Sequence, residues 1–262
     1  PFQGQRDVSN RTIRAVGEPS RRFAEDYLRI LRGLRFAARF EFTIDPPTWE
    51  AARKAAHGLV QLSAERVRDE WFKGLQTARR VTGLATLWAE VGAAEIWMPE
   101  LRIADLASGR IPEPPAGSRD LVVLTALLTS SPAAVLRRLK ASNQEVDRAV
   151  AMEKGPAEPS GSDEPSVRRW LSATGAAAGD LAQLWELQRG RQPPWLEAVQ
   201  RIRQRGDPLT RSDLAITGVD LQALGTTGPE IGRTLAVLLD RVLQEPALNT
   251  RERLLALARE TR

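Results

Sequence analysis

A dense cluster of charged side chains lies within a regular amphipathic pattern near the start of the chain. The stretch FAEDYLRILRGLRFAARF, residues 23–40, predicts a helix with a broad apolar stripe, and on a separate arc it carries Glu25, Asp26, Arg29 and Arg32. A solvated surface with i,i+3 and i,i+4 ion pairs would explain these charges. The density of the cluster, and the poor helix former Gly33 beside Arg29, favour instead a site that a ligand approaches closely.

The combination of a carboxylate and a guanidinium can distinguish nucleobases. Such a pair presents hydrogen-bond acceptors beside donors. Cytosine and adenine offer an amino donor beside a ring-nitrogen acceptor, whereas uracil and guanine offer an oxygen acceptor beside an N–H donor. A fixed pair of Asp26 and Arg29 is therefore predicted to accept C and A and to reject U and G, because the wrong base leaves buried polar groups unpaired.

The composition restricts the chemistry that the chain can perform. Among its 262 residues there is no cysteine and one histidine, His57. Disulfides and thiol catalysis are excluded, and histidine-rich zinc sites and Ser-His-Asp triads are not expected. No run approaches 18 apolar residues, so no membrane span is predicted. The lack of cysteine favours a cytoplasmic location.

Positive charge is concentrated in the first third of the chain. Residues 1–80 contain sixteen Lys/Arg against ten Asp/Glu, whereas the whole chain contains 38 against 33. Nearly all of these cations are arginines, whose planar guanidinium suits phosphates and base edges. This distribution favours a nucleic-acid partner, although arginine-rich codon usage would give the same composition.

Helical periodicity dominates the rest of the chain. Alternating strand patterns are almost absent, so the sequence predicts an all-α fold after its first few residues. Residues 1–16 predict a loop leading into a short strand, and residues 41–45 a brief extended link. The Pro/Gly-rich residues 155–165 predict a linker.

Two stretches carry a resemblance to a known family. EDYLRILRGLRFAARFEFTID, followed by LSAERVRDEWFKGL, resembles the bacterial tRNA nucleotidyltransferase and poly(A) polymerase family, which includes the class II CCA-adding enzymes. EDxxRxxR is similar to the template motif with which this family selects CTP and ATP. Residues 1–23 resemble its flexible-loop segment, and residues 208–260 its C-terminal region.

The resemblance implies specific roles for individual residues. Asp26 and Arg29 would hydrogen-bond the incoming base, Glu25 would hold Arg29, and Arg32 would assist with the nucleotide or the RNA end. The remaining implied roles fall on the flexible loop (Asp7, Arg14), on support of the template helix (Glu65, Arg66, Glu70) and on RNA binding (Arg22, Arg35, Arg39).

The resemblance also implies an architecture and a set of partners. We expect an elongated, all-α arrangement of neck, body and tail, with a short strand and loop remnant of an α/β head at the N-terminus. The expected divisions are the end of the head (1–19), the neck (20–80), the body (81–207) and the tail (208–262). The substrates would be CTP and ATP and the partner tRNA, with no DNA and no membrane.

The metal-binding carboxylates of the family are missing from this sequence. Two-metal phosphoryl transfer requires acidic residues close together, yet the chain contains no Asp-x-Asp. In the family that pair precedes the flexible loop, so it would lie before Pro1. We therefore expect no catalytic and no metal-binding residue in this chain, and we expect Mg²⁺ to be bound by residues outside it.

Three hypotheses remain from the sequence alone. The first is part of a tRNA nucleotidyltransferase that adds C and A residues, completing CCA at the tRNA 3′ end. The second is a relative with poly(A), A-only or CC-only activity. The third is a non-catalytic, helical RNA-binding protein. An Asp-x-Asp encoded within about 100 residues upstream in the same reading frame would favour the first two.

We predict that this polypeptide alone does not transfer nucleotides, because it lacks the carboxylates that would hold Mg²⁺. The measurement is incorporation of labelled CTP or ATP into tRNA lacking its 3′ end, with an intact family member as the positive control. Mg²⁺-dependent incorporation by this chain would contradict the prediction.

Overall fold

The computed structural model describes residues 3–115, 117 and 119–260. Within them the chain forms two compact units. Unit 1 comprises Pro1–Glu153 and Gln183–Arg191, and unit 2 comprises Lys154–Ala182 and Gln192–Arg262. Unit 2 begins at the segment for which the sequence predicts a linker. The division into head remnant, neck, body and tail stays a prediction.

Unit 1 is helical apart from two short strands. Its N-terminal part contains α1 (Gly4–Ser9), β1 (Thr12–Ile13), α2 (Pro19–Glu25), α3 (Leu28–Phe40), β2 (Thr43–Ile44), α4 (Pro46–Ala55) and a 3₁₀ turn (Ala56–Gln61). The helices that follow are α5 (Ala64–Thr77), α6 (Val81–Val91), α7 (Ala93–Trp97), α8 (Ile103–Ala107), α9 (Leu121–Leu128), α10 (Pro132–Arg138) and α11 (Asn143–Lys154).

Unit 2 is built from helices and 3₁₀ turns. Its helices are α12 (Glu164–Thr174), α13 (Ala178–Arg189, which continues into unit 1), α14 (Leu196–Arg205), α15 (Gly218–Ala223), α16 (Pro229–Gln244) and α17 (Arg251–Glu260). The all-α prediction is confirmed, and none of the helices in the described residues is long and apolar enough to cross a membrane.

The strands join the start of the chain to the segment after α3. Strands β1 and β2 pair in parallel, with Thr12 opposite Thr43 and Ile13 opposite Ile44. The short strand predicted for residues 1–16 is therefore confirmed as β1, and the extended link predicted for residues 41–45 is confirmed by β2. Helix α1, within the predicted loop, was not expected, because its six residues bury no side chain that would give a periodic signal.

The core of unit 1 forms where α3, α5 and α6 pack together. Helix α3 buries Leu31 and Leu34 on the apolar stripe that the sequence predicts. The Trp71 and Trp88 rings meet edge to face with centroids 5.1 Å apart, and Trp71 Nε1 donates to Thr125 Oγ1 at 3.2 Å. Both rings are fully buried, so these tryptophans belong to the core.

A buried arginine organises the helices of unit 2. Arg168 on α12 is 4% exposed. It donates to the carbonyls of Leu243 and Gln244, which end α16, and to the Asp207 carboxylate at 3.0 Å. The charge of Arg168 alone would suit a phosphate contact, but its guanidinium is used inside unit 2.

The carboxylate of Glu164, also on α12, completes this network. It accepts hydrogen bonds from Arg201 and Arg205 on α14 and from Arg168. The hydrogen bonds from Arg205 and Arg201 lower the pKa of Glu164 to about 2. The pKa of Glu164 is lower in the folded state than its ordinary value of 4.5. The network therefore stabilises the fold at pH values above 4.5, and this contribution is lost as the pH falls from 4.5 to about 2.

We predict that Glu164→Gln lowers the thermal unfolding midpoint by roughly 2–4 °C at pH 7. The difference from the unchanged chain should shrink as the pH falls below 4.5, because the unfolded wild-type chain then binds a proton on Glu164 that the folded chain, with a pKa of about 2, does not. The measurement is thermal unfolding followed by circular dichroism between pH 2.5 and 7. The control is Glu197→Gln, whose side chain is 88% exposed and 3.7 Å from Arg201. An equal loss at all pH values would contradict the prediction.

Candidate nucleotide-binding site

The charged cluster lies at a break between two helices. The sequence predicts one helix over residues 23–40, but α2 ends at Glu25 and α3 begins at Leu28. Asp26 has an extended backbone, with φ −158° and ψ 104°, and its Oδ1 accepts a hydrogen bond from the Leu28 amide at 3.1 Å. Aspartate readily makes such local bonds in place of a helical turn. The prediction of one continuous helix is therefore wrong at Asp26.

Arg29 is held by groups of the preceding helix. Its Nη1 donates to Glu25 Oε2 at 2.8 Å and to the Arg22 carbonyl at 2.9 Å. Arg22 Nη1 also donates to Glu25 Oε2, at 2.7 Å. The hydrogen bond from Arg29, followed by the charges of Arg22, Arg29 and Arg21, lowers the pKa of Glu25, which is consequently ionised at neutral pH. The geometry thus agrees with the predicted support of Arg29 by Glu25.

Asp26 is held by another helix rather than by Arg29. Arg66 on α5 places its Nη2 3.1 Å from Oδ1 and 3.2 Å from Oδ2 of Asp26. The i,i+3 pair of Asp26 and Arg29, expected on one helix, is replaced by this contact between residues 40 positions apart. Arg66 therefore reaches the charged cluster directly, as expected of a residue that supports it.

The third supporting residue, Glu70, is a buried carboxylate. Its side chain is 5% exposed and accepts from Arg35 Nε at 2.7 Å and from Arg32 Nε at 3.3 Å. Both arginines lie on α3, so Glu70 fixes α3 against α5. A buried carboxylate requires such partners, since an unpaired charge in the interior is strongly unfavourable.

Glu65 lies at the start of α5 but does not contact α2 or α3 through its carboxylate in the bonds of the described residues. Its Oε1 accepts from Lys140 Nζ at 3.0 Å. Bonding to its own amide, followed by the bond from Lys140, lowers the pKa of Glu65. Glu65 was predicted to support the helix that carries the charged cluster, but no direct contact between them is present among the described residues.

A cavity of about 240 Å³ opens beside the charged cluster. Arg29, Arg32 and Gly33 line one side, and residues 13–16 line another. Gly33 leaves room here, because a Cβ at this position would meet nothing within 4 Å. The lining residues of this cavity in the described part of the chain include Arg22 and Phe36 but not Asp26.

The two flexible-loop residues lie at a neighbouring cavity of about 580 Å³. Arg14 Nε donates to Asp7 Oδ1 at 3.3 Å, and Arg14 also pairs with Asp45, the N-cap residue of α4. Residues 13–16 and Phe36 line this cavity and the smaller one alike. The structure therefore brings Asp7 and Arg14 near Arg29 and Arg32, although they are distant in sequence.

The predicted RNA-binding arginines have different surroundings. Arg22 pairs with Glu25, and Arg35 is bound to Glu70 while its guanidinium lies 4.3 Å from the Phe36 ring centroid. Arg39 is exposed and lies 5.2 Å from the Phe40 centroid. Of the three residues, Arg39 is the most exposed.

The sequence did not predict that Phe36 lines the two cavities. This ring is 37% exposed, lines both cavities and stacks on Phe40 with centroids 6.2 Å apart. Position 36 falls off the apolar stripe of α3, and an exposed phenylalanine inside a charged helix is the signal that could have identified it.

The described residues do not offer a metal site. No three His, Asp or Glu side chains within residues 3–115, 117 and 119–260 are grouped so that they could bind one ion.

Two family models match the sequence. The model for "tRNA nucleotidyltransferase domain 2" matches residues 120–258, and the model described as "Probable RNA and SrmB- binding site of polymerase A" matches residues 41–104. The CCA-adding enzyme of Enterococcus faecalis is 31% identical over 100% of this chain. That of Latilactobacillus sakei is 29% identical over 98% of it. The chain spans 66% of the length of both relatives.

Solved structures of CCA-adding enzymes are similar in fold to this chain. The Bacillus stearothermophilus CCA-adding enzyme in complex with CTP matches 100% of this chain and 68% of its own, with a TM-score of 0.78 and 26% identity. The Thermotoga maritima CCA-adding enzyme complexed with tRNA shares the fold, with a TM-score of 0.56, 16% identity and coverage of 100% and 67%. Since one family model matches more than half of the chain, the chain belongs to the tRNA nucleotidyltransferase family.

Proposed function

We propose that this chain is the nucleotide-selecting and tRNA-binding part of an enzyme that adds C and A residues to the tRNA 3′ end, using CTP and ATP to complete CCA. The observation that carries the proposal is the geometry of Arg29. Glu25 and the Arg22 carbonyl both bind Nη1 of Arg29 at the edge of a cavity. This leaves Nε and Nη2 without a partner among the described residues, so they are available to a base.

The acceptor of the proposed pair is Asp26. Arg66 bonds both of its oxygens and the Leu28 amide bonds Oδ1, yet each carboxylate oxygen can accept more than one hydrogen bond. Asp26 is not among the residues that line the cavity, so the proposal requires its carboxylate to turn from Arg66 toward the donors of Arg29 when a base binds. The amino group and ring nitrogen of cytosine or adenine complement an acceptor beside these donors, and uracil and guanine do not.

The relatives support this proposal. The curated relatives are named CCA-adding enzymes, and the Bacillus stearothermophilus enzyme was solved with CTP. The predicted Mg²⁺ requirement and the predicted cytoplasmic location belong to the same proposal. Because the described residues do not form a metal site, no step of the reaction is assigned to a metal here.

A poly(A) polymerase is the second candidate. The match of residues 41–104 to a model of a polymerase A binding site favours it. The two activities differ in their products, because a CCA-adding enzyme stops after a defined 3′ end and a poly(A) polymerase continues with A. Gel analysis of products formed on tRNA by the natural gene product that contains this chain separates them.

We predict that Asp26→Ala or Arg29→Ala in that gene product relaxes base selection. The ratio of kcat/KM for CTP to that for UTP should fall by about tenfold or more, because the hydrogen bonds that reject U are removed. The control is Arg53→Ala, which removes an exposed arginine of α4 that lies 4.0 Å from Glu50. Unchanged ratios in both Asp26→Ala and Arg29→Ala would refute the proposed base recognition.

We further predict a graded effect at Glu25. Glu25→Ala should reduce CTP-over-UTP selectivity nearly as much as Arg29→Ala, because Arg29 loses its carboxylate partner. Glu25→Gln should have an intermediate effect, because its amide oxygen still accepts a hydrogen bond without the charge. Steady-state kinetics at pH 6 to 8 provide the measurement. Wild-type selectivity in Glu25→Ala would show that Arg29 does not depend on Glu25.

A further inference from the structure

One residue at the break between α2 and α3, Tyr27, has no direct role in the proposed base recognition. Tyr27 follows Asp26 directly, and its ring is partly buried against the core of unit 1. The ring reaches the 3₁₀ turn after α4, where it lies 6.5 Å from the His57 ring, at an angle of 60°. Tyr27 thus connects the charged cluster to a different part of unit 1 from the one that Arg66 contacts.

The contact between Tyr27 and this turn requires a glycine. A Cβ built on Gly58 would overlap three carbons of the Tyr27 ring, Cδ1, Cε1 and Cζ. Gly58 is buried and does not have a positive φ. A glycine is therefore needed here for space and not for backbone conformation, since any other side chain would push the ring away.

Displacing the Tyr27 ring would move both members of the proposed base-recognising pair. The backbone changes from extended at Asp26 to helical at Tyr27. The carbonyls of Asp26 and Tyr27 accept the amides of Arg29 and Ile30, at 3.1 and 3.0 Å, which starts α3. A fixed Tyr27 consequently fixes the Asp26 carboxylate relative to Arg66 and the first turn that carries Arg29.

We propose that the packing of Tyr27 on Gly58 is a specificity-determining contact, which positions Asp26 and Arg29 for base selection without touching the nucleotide. This inference rests on the proposed function. Tyr27 and Gly58 are positioning residues, so their loss should alter the choice between bases more than the rate with the correct base. A contact that only stabilises the fold would instead change the unfolding midpoint and leave base choice unaltered.

The test compares Tyr27→Ala, Gly58→Ala and the double variant in the natural gene product that contains this chain. We expect each single substitution to lower the ratio of kcat/KM for CTP to that for UTP by about fivefold or more. Because Gly58→Ala acts by displacing a ring that Tyr27→Ala removes, the double variant should be no less selective than Tyr27→Ala. Tyr27→Phe keeps the ring and should keep the wild-type ratio.

The matched control for lost stability is Gly74→Ala. This glycine lies on α5, where a Cβ would meet Leu84 Cδ2 of α6 at 2.7 Å. Gly74→Ala should lower the unfolding midpoint and retain the wild-type ratio. If Gly58→Ala does not fold, Tyr27→Ala and Tyr27→Phe still decide the question.

The outcomes separate this inference from the proposed function. If Asp26→Ala lowers the ratio while Tyr27→Ala and Gly58→Ala retain it, the positioning role is refuted and the proposed function stands. If Gly74→Ala lowers the ratio as much as Gly58→Ala, the effect is one of stability and the inference is again refuted. If neither Asp26→Ala nor Arg29→Ala lowers the ratio, the proposed function fails, and the inference fails with it.

Discussion

The site depends on one buried carboxylate, that of Glu70. Its two arginine partners lie on α3, so the carboxylate can be compensated only when α3 and α5 pack in one register. Arg66 lies one helical turn before Glu70, and in that register its guanidinium reaches Asp26. The pairing of the buried Glu70 carboxylate with α3 therefore also sets the position of the Asp26 carboxylate, which lies about 40 residues away in sequence.

At the break, two separate sets of contacts orient Arg29 and Asp26. Arg29 is oriented from the N-terminal side by Glu25 and the Arg22 carbonyl, whereas Asp26 is oriented from α5. An uninterrupted helix would have paired these two side chains with each other and satisfied both. Separate anchoring leaves Nε and Nη2 of Arg29 unpaired among the described residues, and it leaves the Asp26 carboxylate with capacity to accept a further hydrogen bond.

The sequence predicted much of this arrangement and missed a definite part of it. Helical periodicity predicted the all-α fold and the buried face of α3, because burial imposes a repeat that a sequence displays directly. The interruption at Asp26 has no such repeat, since it depends on an aspartate that bonds locally and on a glycine 32 residues later. Pairs such as Arg66 with Asp26, or Arg168 with Asp207, join residues that are distant in sequence. Counting charges along the sequence cannot show which arginines form such pairs.

The network around Arg168 also changes the electrostatic field of unit 2. Three arginines, Arg168, Arg201 and Arg205, share the carboxylates of Glu164 and Asp207. The two carboxylates offset two of the three positive charges, and salt screens the remaining charge beyond a Debye length, about 8–10 Å at physiological salt. A polyanion approaching this group of side chains consequently meets little long-range attraction, even though arginine is abundant there. If the proposed tRNA partner is steered by this unit, the attraction has to come from its other cations.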